Sequence, residues 1–290
     1  MTFKYKILSI DGGGIRGIIP AMIIAEIERR TNKPICQLFD MIAGTSTGGI
    51  LALGLTKPDP ENPKIPHYQA SDLIDLYRQN GNRIFNQSTI AKLSSFYELF
   101  LAPKFPSKGR QSVLEEYLGK DTRIEEALTE VLITSYETEL RMPVYFTSNK
   151  EIEKTIGLDF HRVCRGIKMV EAAMATSAAP TFFEPFPVST LNKINGFYSL
   201  IDGGVFANNP TSLAIMEAII ASKKKARELK KPDKKLAIDE ILVVSIGTGS
   251  LTRQFEFEQV KNWGQDQWIQ PISSMVLDGQ SEAVGSQLDQ

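Results

Sequence analysis

The chain has 290 residues, 42% of them hydrophobic, enough for one large α/β domain or two small ones with a substantial core. Lys plus Arg is 33 and Asp plus Glu is 34, a net charge of −1 that excludes an overall pull towards nucleic acid or an acidic membrane. The two cysteines, Cys36 and Cys164, lie far apart, so a disulfide scaffold is not implied and a reducing compartment is the simpler reading. The N-terminus has no secretory h-region or cleavage site, and no apolar stretch reaches transmembrane length. A cytoplasmic protein is expected.

The first predicted strand is "KYKILSI", a short apolar run. Gly12-Gly13-Gly14-Ile15-Arg16-Gly17 follows, a literal G-x-G-x-x-G. Next comes "IIPAMIIAEIERR", with Ile19, Met22, Ile23 and Ile27 at helical spacing. Glycines between a strand and a helix leave backbone N–H groups free at a positive helix terminus, which attracts an anion. That anion can be a phosphate or an oxyanion that exists only in a transition state, and the fingerprint alone does not choose.

"FDMIAG" reads as a second strand and "GGILALGL" as the helix after it. Residues 57–141 differ in character and read as an insertion over the sheet edge within a single domain. The segment opens with a proline-rich loop. A helix pattern with Ala70, Leu73, Ile74 and Tyr77 on one face comes next. Phe96, Tyr97, Leu99, Phe100, Leu101 and Phe105 then form an aromatic-rich stretch, read as packing in preference to lipid docking. "SVLEEYL" and "RIEEALTEVLI" are expected to be short helices. Further on, "MPVYFTSN", "GFYSLIDGG" and "EILVVSIGTG" read as strands, separated by the helix patterns "VEAAMATSA" and "SLAIMEAIIASKKKARELK". This order predicts an α/β fold with helices on both faces of a sheet. The Lys/Arg run over residues 223–235 reads as a solvated surface.

The second strand does not end in the acidic residue that a dinucleotide fold places on the ribose. It ends in Gly44-Thr45-Ser46-Thr47-Gly48, a G-x-S-x-G. That pattern places a serine on a sharp strand-to-helix turn, with small residues permitting the tight backbone. A phosphate-binding loop lacks support because neither glycine segment ends in Gly-Lys-Ser/Thr. A serine nucleophile needs a base, yet the only histidines, His67 and His161, come too early for the order Ser, acid, His. Both read as structural or surface residues. The remaining candidate is Asp202, which ends an apolar strand and precedes Gly203 and Gly204; an ordinary turn is the competing reading.

Together, "DGGGIRG", "GTSTG" and "DGG" resemble the patatin-like phospholipases, of the bacterial type, as do "TSAAPTFFEPF" and "NNP". The likeness runs over at least residues 6–249. It implies a three-layer sandwich with a mostly parallel central sheet, and a Ser–Asp dyad without histidine that cleaves acyl esters of lipids. Carried over, Ser46 is the nucleophile and Asp202 the proton acceptor. The loop Gly12, Gly13, Gly14, Arg16 and Gly17 forms the oxyanion hole, Gly13 and Gly14 supplying the donors and Arg16 adding charge or ordering the loop. Gly44, Gly48, Gly203 and Gly204 complete the motifs. The expected activity is that of a phospholipase A, lysophospholipase or galactolipase. An acyltransferase using the same acyl-enzyme is the near alternative, and a non-catalytic lipid or nucleotide binder the distant one. The expected partner is a membrane lipid or lysolipid, with peripheral membrane contact; no nucleic acid, cofactor or metal is expected. Family members commonly continue past the point where this chain stops inside a helix pattern, so a missing C-terminal segment is a further expectation.

Overall fold

In the computed structural model, which describes residues 3–85, 107–149, 161–163, 166–190, 194–230, 235–249 and 254–288, the described strands form one eight-stranded sheet. The strands are β1 (Tyr5–Ile10), β2 (Met41–Thr45), β3 (Glu130–Glu137), β4 (Met142–Thr147), β5 (His161–Val163), β6 (Phe186–Ser189), β7 (Phe197–Asp202) and β8 (Ile241–Ile246). Their order is β5-β4-β3-β2-β1-β8, with β7 on β3 and β6 on β7. The pairs β8–β1, β1–β2, β2–β3 and β4–β5 are parallel; β3–β4, β3–β7 and β6–β7 are antiparallel.

The longer helices are α1 (Ile18–Thr31), α2 (Thr47–Thr56), α3 (Ala70–Phe85), α4 (Ser107–Leu118), α5 (Met169–Thr176), α6 (Thr211–Glu228) and α7 (Gln265–Leu288). Alternate strand residues point to opposite faces. Leu8, Ile10, Ile42, Val131 and Ile133 pack with residues of α1 to α5. Ile7, Met41, Ala43, Leu132 and Tyr145 pack with Ala214 and Ala218 of α6. The mostly parallel sheet between two helical layers is therefore the expected sandwich.

One expectation is corrected. "RIEEALTEVLI" is not a helix: Ile124–Glu126 makes a single 3-10 turn, and the rest enters β3 at the middle of the sheet. Val131, Leu132 and Ile133 are fully buried on both faces, and β-branched residues in such a run favour the pleated strand over a short helix. The end of the presumed insertion thus belongs to the central sheet, while Leu73, Tyr77, Val113 and Leu114 of α3 and α4 join the main core. In α1, the stripe of Ile19, Met22 and Ile23 is exposed; Ala21, Ile24 and Glu28 face inward. Small Ala21 lets the helix approach closely, and the buried Glu28 carboxylate accepts the N–H groups of Ile35 (2.8 Å) and Ala70 (2.7 Å), so it replaces its water. The aromatic stretch around Phe96 to Phe105 and Cys164 lie outside the described residues.

Topology brings the site together at β3. Residues 132–137 of β3 pair with β4 on one edge. On the other edge, residues 130–134 pair with β2 and residues 135–137 with β7. Since β7 runs antiparallel to β3 and β2 parallel to it, their C-terminal ends meet head to head.

Candidate active site

Ser46 follows directly on β2, with φ 54° and ψ −119°, as the residue before α2. Positive φ in a non-glycine residue is strained, by an order of 1–3 kcal/mol, and survives only where its surroundings enforce it. Here Gly44 and Gly48 face each other across the turn: a Cβ on Gly44 would run into the Gly48 carbonyl, and one on Gly48 into the carbonyl of Ile10. The two motif glycines are therefore required by close backbone contact. The Ser46 backbone N–H donates to Thr176 Oγ1 at 2.8 Å, tying the turn to the end of α5.

Asp202 ends β7 in the same place. Ser46 Oγ donates to Asp202 Oδ2 at 2.6 Å, and Gly204 N–H donates to Asp202 Oδ1 at 2.8 Å. Both carboxylate oxygens are thus engaged and the side chain is fixed. Burial pushes the Asp202 carboxyl up to about 6, against the opposing pull of the Ser46 and Gly204 hydrogen bonds and of the Arg110 charge. At neutral pH it remains mostly ionised, and it is a much better proton acceptor than a solvated aspartate.

The glycine loop lies over this pair. A Cβ on Gly12 would sit 3.4 Å from Ser46 Cβ and run into Asn208 Oδ1, and one on Gly13 would run into the side chain of Thr248. Gly12 N–H donates to Asn208 O at 3.0 Å, and Thr248 Oγ1 donates to Gly12 O at 2.8 Å. Gly14 has φ 58°, the left-handed conformation that glycine adopts without penalty. Among the described residues, no acceptor is paired with the N–H of Gly13 or Gly14. Arg16 sends its guanidinium to the carbonyl of Gly249 at 3.0 Å, and so pins the loop. Gly17 is packed under Thr47 and Tyr77. Gly203 is packed against Thr134, leaving no room for a side chain beneath the Asp202 turn.

Several residues at the site have sequence signals too weak to name them. Thr176 and Asn208 stand in the family-like segments "TSAAPTFFEPF" and "NNP", which gave them no individual role, and Thr248 stands in "GTG". Asp11 is buried, its carboxyl pushed up to about 7 by loss of water and partly restrained by a hydrogen bond with Ser281. Asn208 Nδ2 donates to the same Ser281 Oγ at 3.0 Å, and Gln280 Nε2 donates to Val205 O at 3.0 Å. The last turns of α7 therefore brace the glycine loop and the segment after Asp202.

The histidines stay away from this chemistry. His67 Nδ1 lies 2.9 Å from Asp59 Oδ2, in the proline-rich loop. His161 begins β5, which pairs with β4 on the far side of β3 from β2. No group of three or more His, Cys, Asp or Glu suited to a metal occurs among the described residues, and no described helix is long and apolar enough to cross a membrane.

A serine on a strained elbow, a buried aspartate on its hydroxyl and a glycine loop with unpaired N–H groups define a class of serine hydrolase-type site on an α/β sandwich. The patatin-like phospholipase family model matches residues 8–215, most of the chain, and the chain belongs to that family. It is 35% identical to Patatin-T5 of Solanum tuberosum over 93% of this chain and 68% of that protein. It is also 35% identical to Patatin-like protein 1 of Arabidopsis thaliana, over 91% of this chain and 64% of that protein. A third relative, 35% identical over 93% of this chain and 70% of its own length, is named Probable inactive patatin-3-Kuras 1, again from Solanum tuberosum. The chain thus spans about two thirds of the length of these relatives. All three are plant proteins and lend no support to the expected bacterial type. The crystal structure of VipD from Legionella pneumophila aligns with a TM-score of 0.39 and 12% identity, over 96% of this chain and 67% of that one.

Proposed function

We propose that this protein is a lipid acyl hydrolase that cleaves carboxylic esters through an acyl-enzyme on Ser46. The observation that carries the reading is the 2.6 Å hydrogen bond from Ser46 Oγ to Asp202 Oδ2, with Asp202 buried and its second oxygen held by Gly204. Family membership supplies the lipid substrate class. Because one relative bears the name of an inactive protein, membership alone does not establish turnover here, and the reading rests on the intact dyad.

In the proposed reaction, Ser46 Oγ forms a bond to the ester carbonyl carbon as its proton passes to Asp202 Oδ2. The carbonyl π electrons move to oxygen, and the N–H groups of Gly13 and Gly14 receive that charge. One such donor contributes about 3 kcal/mol to the transition state. The intermediate then expels the alcohol, which leaves with the proton from Asp202. Water attacks the acyl-Ser46 carbonyl, Asp202 takes the water's proton, and Ser46 Oγ recovers it as the fatty acid departs. No histidine is needed because the raised basicity of Asp202 suits the proton transfer. The lipid reaches the site from a membrane surface, by peripheral contact.

The test is labelling and turnover. A fluorophosphonate should label the protein at Ser46, and S46A should abolish both the label and hydrolysis across phospholipid, lysophospholipid and galactolipid substrates. A folded protein that resists the label and leaves every ester intact would make it a binder. Products in which the acyl group has moved to another alcohol would make it a transferase.

A further inference from the structure

Arg110 is a buried cation that the proposed chemistry does not touch. It lies on α4, is 1% exposed, and is among the largest fully buried side chains of the protein. Nη1 donates to the Ser177 carbonyl, the guanidinium carbon sits 3.9 Å over the Phe183 ring, and Nε and Nη2 have no hydrogen-bond partner among the described residues. Burying a guanidinium with two idle nitrogens is expensive and invites a reason other than stability. The place it grips supplies one. Ser177 stands between Thr176, whose Oγ1 accepts the Ser46 N–H, and Ala178, whose carbonyl accepts the Asp202 N–H at 3.0 Å. One three-residue turn at the end of α5 therefore holds the backbone of both dyad members, and Arg110 holds that turn at its middle.

We infer that Arg110 is a positioning residue for the dyad: its hydrogen bond to the Ser177 carbonyl fixes the turn at Thr176, Ser177 and Ala178, which holds the backbone of Ser46 and of Asp202. The inference deepens the hydrolase reading and rests on it for the role of Asp202. Among the described residues, Arg110 is the charged group acting on Asp202, and Glu184 acts on Arg110 from beyond the turn. Asp11 reaches Ser281 and the Gly247 side of the site instead.

The experiment compares wild type, R110M and R110K by thermal unfolding, by the pH dependence of kcat and KM on a soluble ester, and by carbon-13 NMR titration of the Asp202 carboxyl. Methionine fills similar space without charge or donors; lysine keeps the charge but loses the planar fork. In R110M the Asp202 titration and the acid limb of kcat/KM should move to higher pH, since the guanidinium charge lowers the Asp202 carboxyl. kcat should fall at least tenfold with KM little changed, and the melting temperature should hold or rise. R110K should keep the titration near wild type while kcat falls. If R110M does not fold, R110K decides: unchanged kcat in R110K overturns the positioning role. An unmoved Asp202 titration in folded R110M, or a fall in stability with the pH profile intact, also overturns the inference. The NMR titration stands even if the wild type hydrolyses nothing, so loss of the hydrolase reading and loss of this one are distinguishable.

Discussion

Thr45 and Asp202 pair with consecutive residues on one edge of β3, Thr134 and Ser135. Two strands arriving from opposite directions share that edge, and the hydroxyl of the residue after Thr45 meets the carboxylate that ends β7. A separation of 156 residues is thereby reduced to a hydrogen bond. The geometry is carried by backbone pairing on a buried strand, which makes it rigid, as a preorganised site requires.

Asp202 is held at a cost to stability. Its carboxyl is raised from the ordinary 3.8 to about 6, so the folded state binds a proton more tightly than the unfolded chain. This favours folding below about pH 4, and the advantage is lost as pH rises through 6. At 1.36 kcal/mol per unit, the loss is at most about 3 kcal/mol. D202N, which cannot ionise, should therefore melt higher than wild type at pH 8 and no higher at pH 4, while turnover falls by about 10²–10⁴, the usual contribution of a general base. Wild-type turnover in D202N, checked with a soluble ester, would remove Asp202 from the mechanism.

On the proposed mechanism, the same shift should set the acid limb of the rate. kcat/KM for a soluble ester should fall about tenfold per unit below pH 6, as the free enzyme's base is protonated. Asp11 titrates close by, at about 7, beside the oxyanion loop. D11N separates the two: a limb that persists near pH 6 in D11N belongs to Asp202, and one that vanishes belongs to Asp11.

Gly13 is one of the closely packed positions of the loop. A methyl group there meets the Thr248 side chain, whose hydroxyl anchors Gly12. G13A should lower kcat by about 10²–10³, the range for one lost oxyanion donor, with a much smaller change in KM. Stopped-flow or steady-state kinetics on a soluble ester checks it. Equal losses in kcat and in binding of a non-hydrolysable analogue would point to a collapsed site instead.

Thr176 should behave as a support for the nucleophile. T176V removes the acceptor for the Ser46 N–H and leaves that buried donor unpaired, at about 1–3 kcal/mol. We expect a lower melting temperature and a kcat reduced about tenfold or more, with T176S restoring both. Failure of T176S to restore activity would assign the effect to packing of the methyl group.

His67 is predicted to be dispensable. Its ring nitrogen is committed to Asp59, remote from the dyad, so H67Q should keep most esterase activity. Activity on a soluble ester should also survive chelators. A large loss of turnover in H67Q at unchanged stability, or a loss in chelator reversed by a metal, would contradict the histidine-free, metal-free mechanism.

Local patterning was enough to place most of this fold. "KYKILSI", "FDMIAG", "GFYSLIDGG" and "EILVVSIGTG" are short apolar runs closed by turn residues, and each is a strand: β1 and β2 are buried over most of their length, β7 alternates buried and part-exposed residues, and β8 lies half-buried at the end of the sheet. Ser46 and Asp202 were legible for a related reason: glycines required by close backbone approach leave a sequence mark. What lacked such a mark was decided by tertiary contact. The segment ending in β3 reads as helix until its neighbours bury it on both faces, and the helical spacing in α1 does not show that Ala21 and Ile24 are the residues that pack. Thr248 and Arg110 are common residue types in unremarkable spacing, and the family-like segments that hold Thr176 and Asn208 do not say what those side chains bond. Their roles exist only because the sheet order brings the end of α5, the loop after β8 and the last turns of α7 to one point, and hydrogen bonds between such distant segments have no periodicity for a sequence to display.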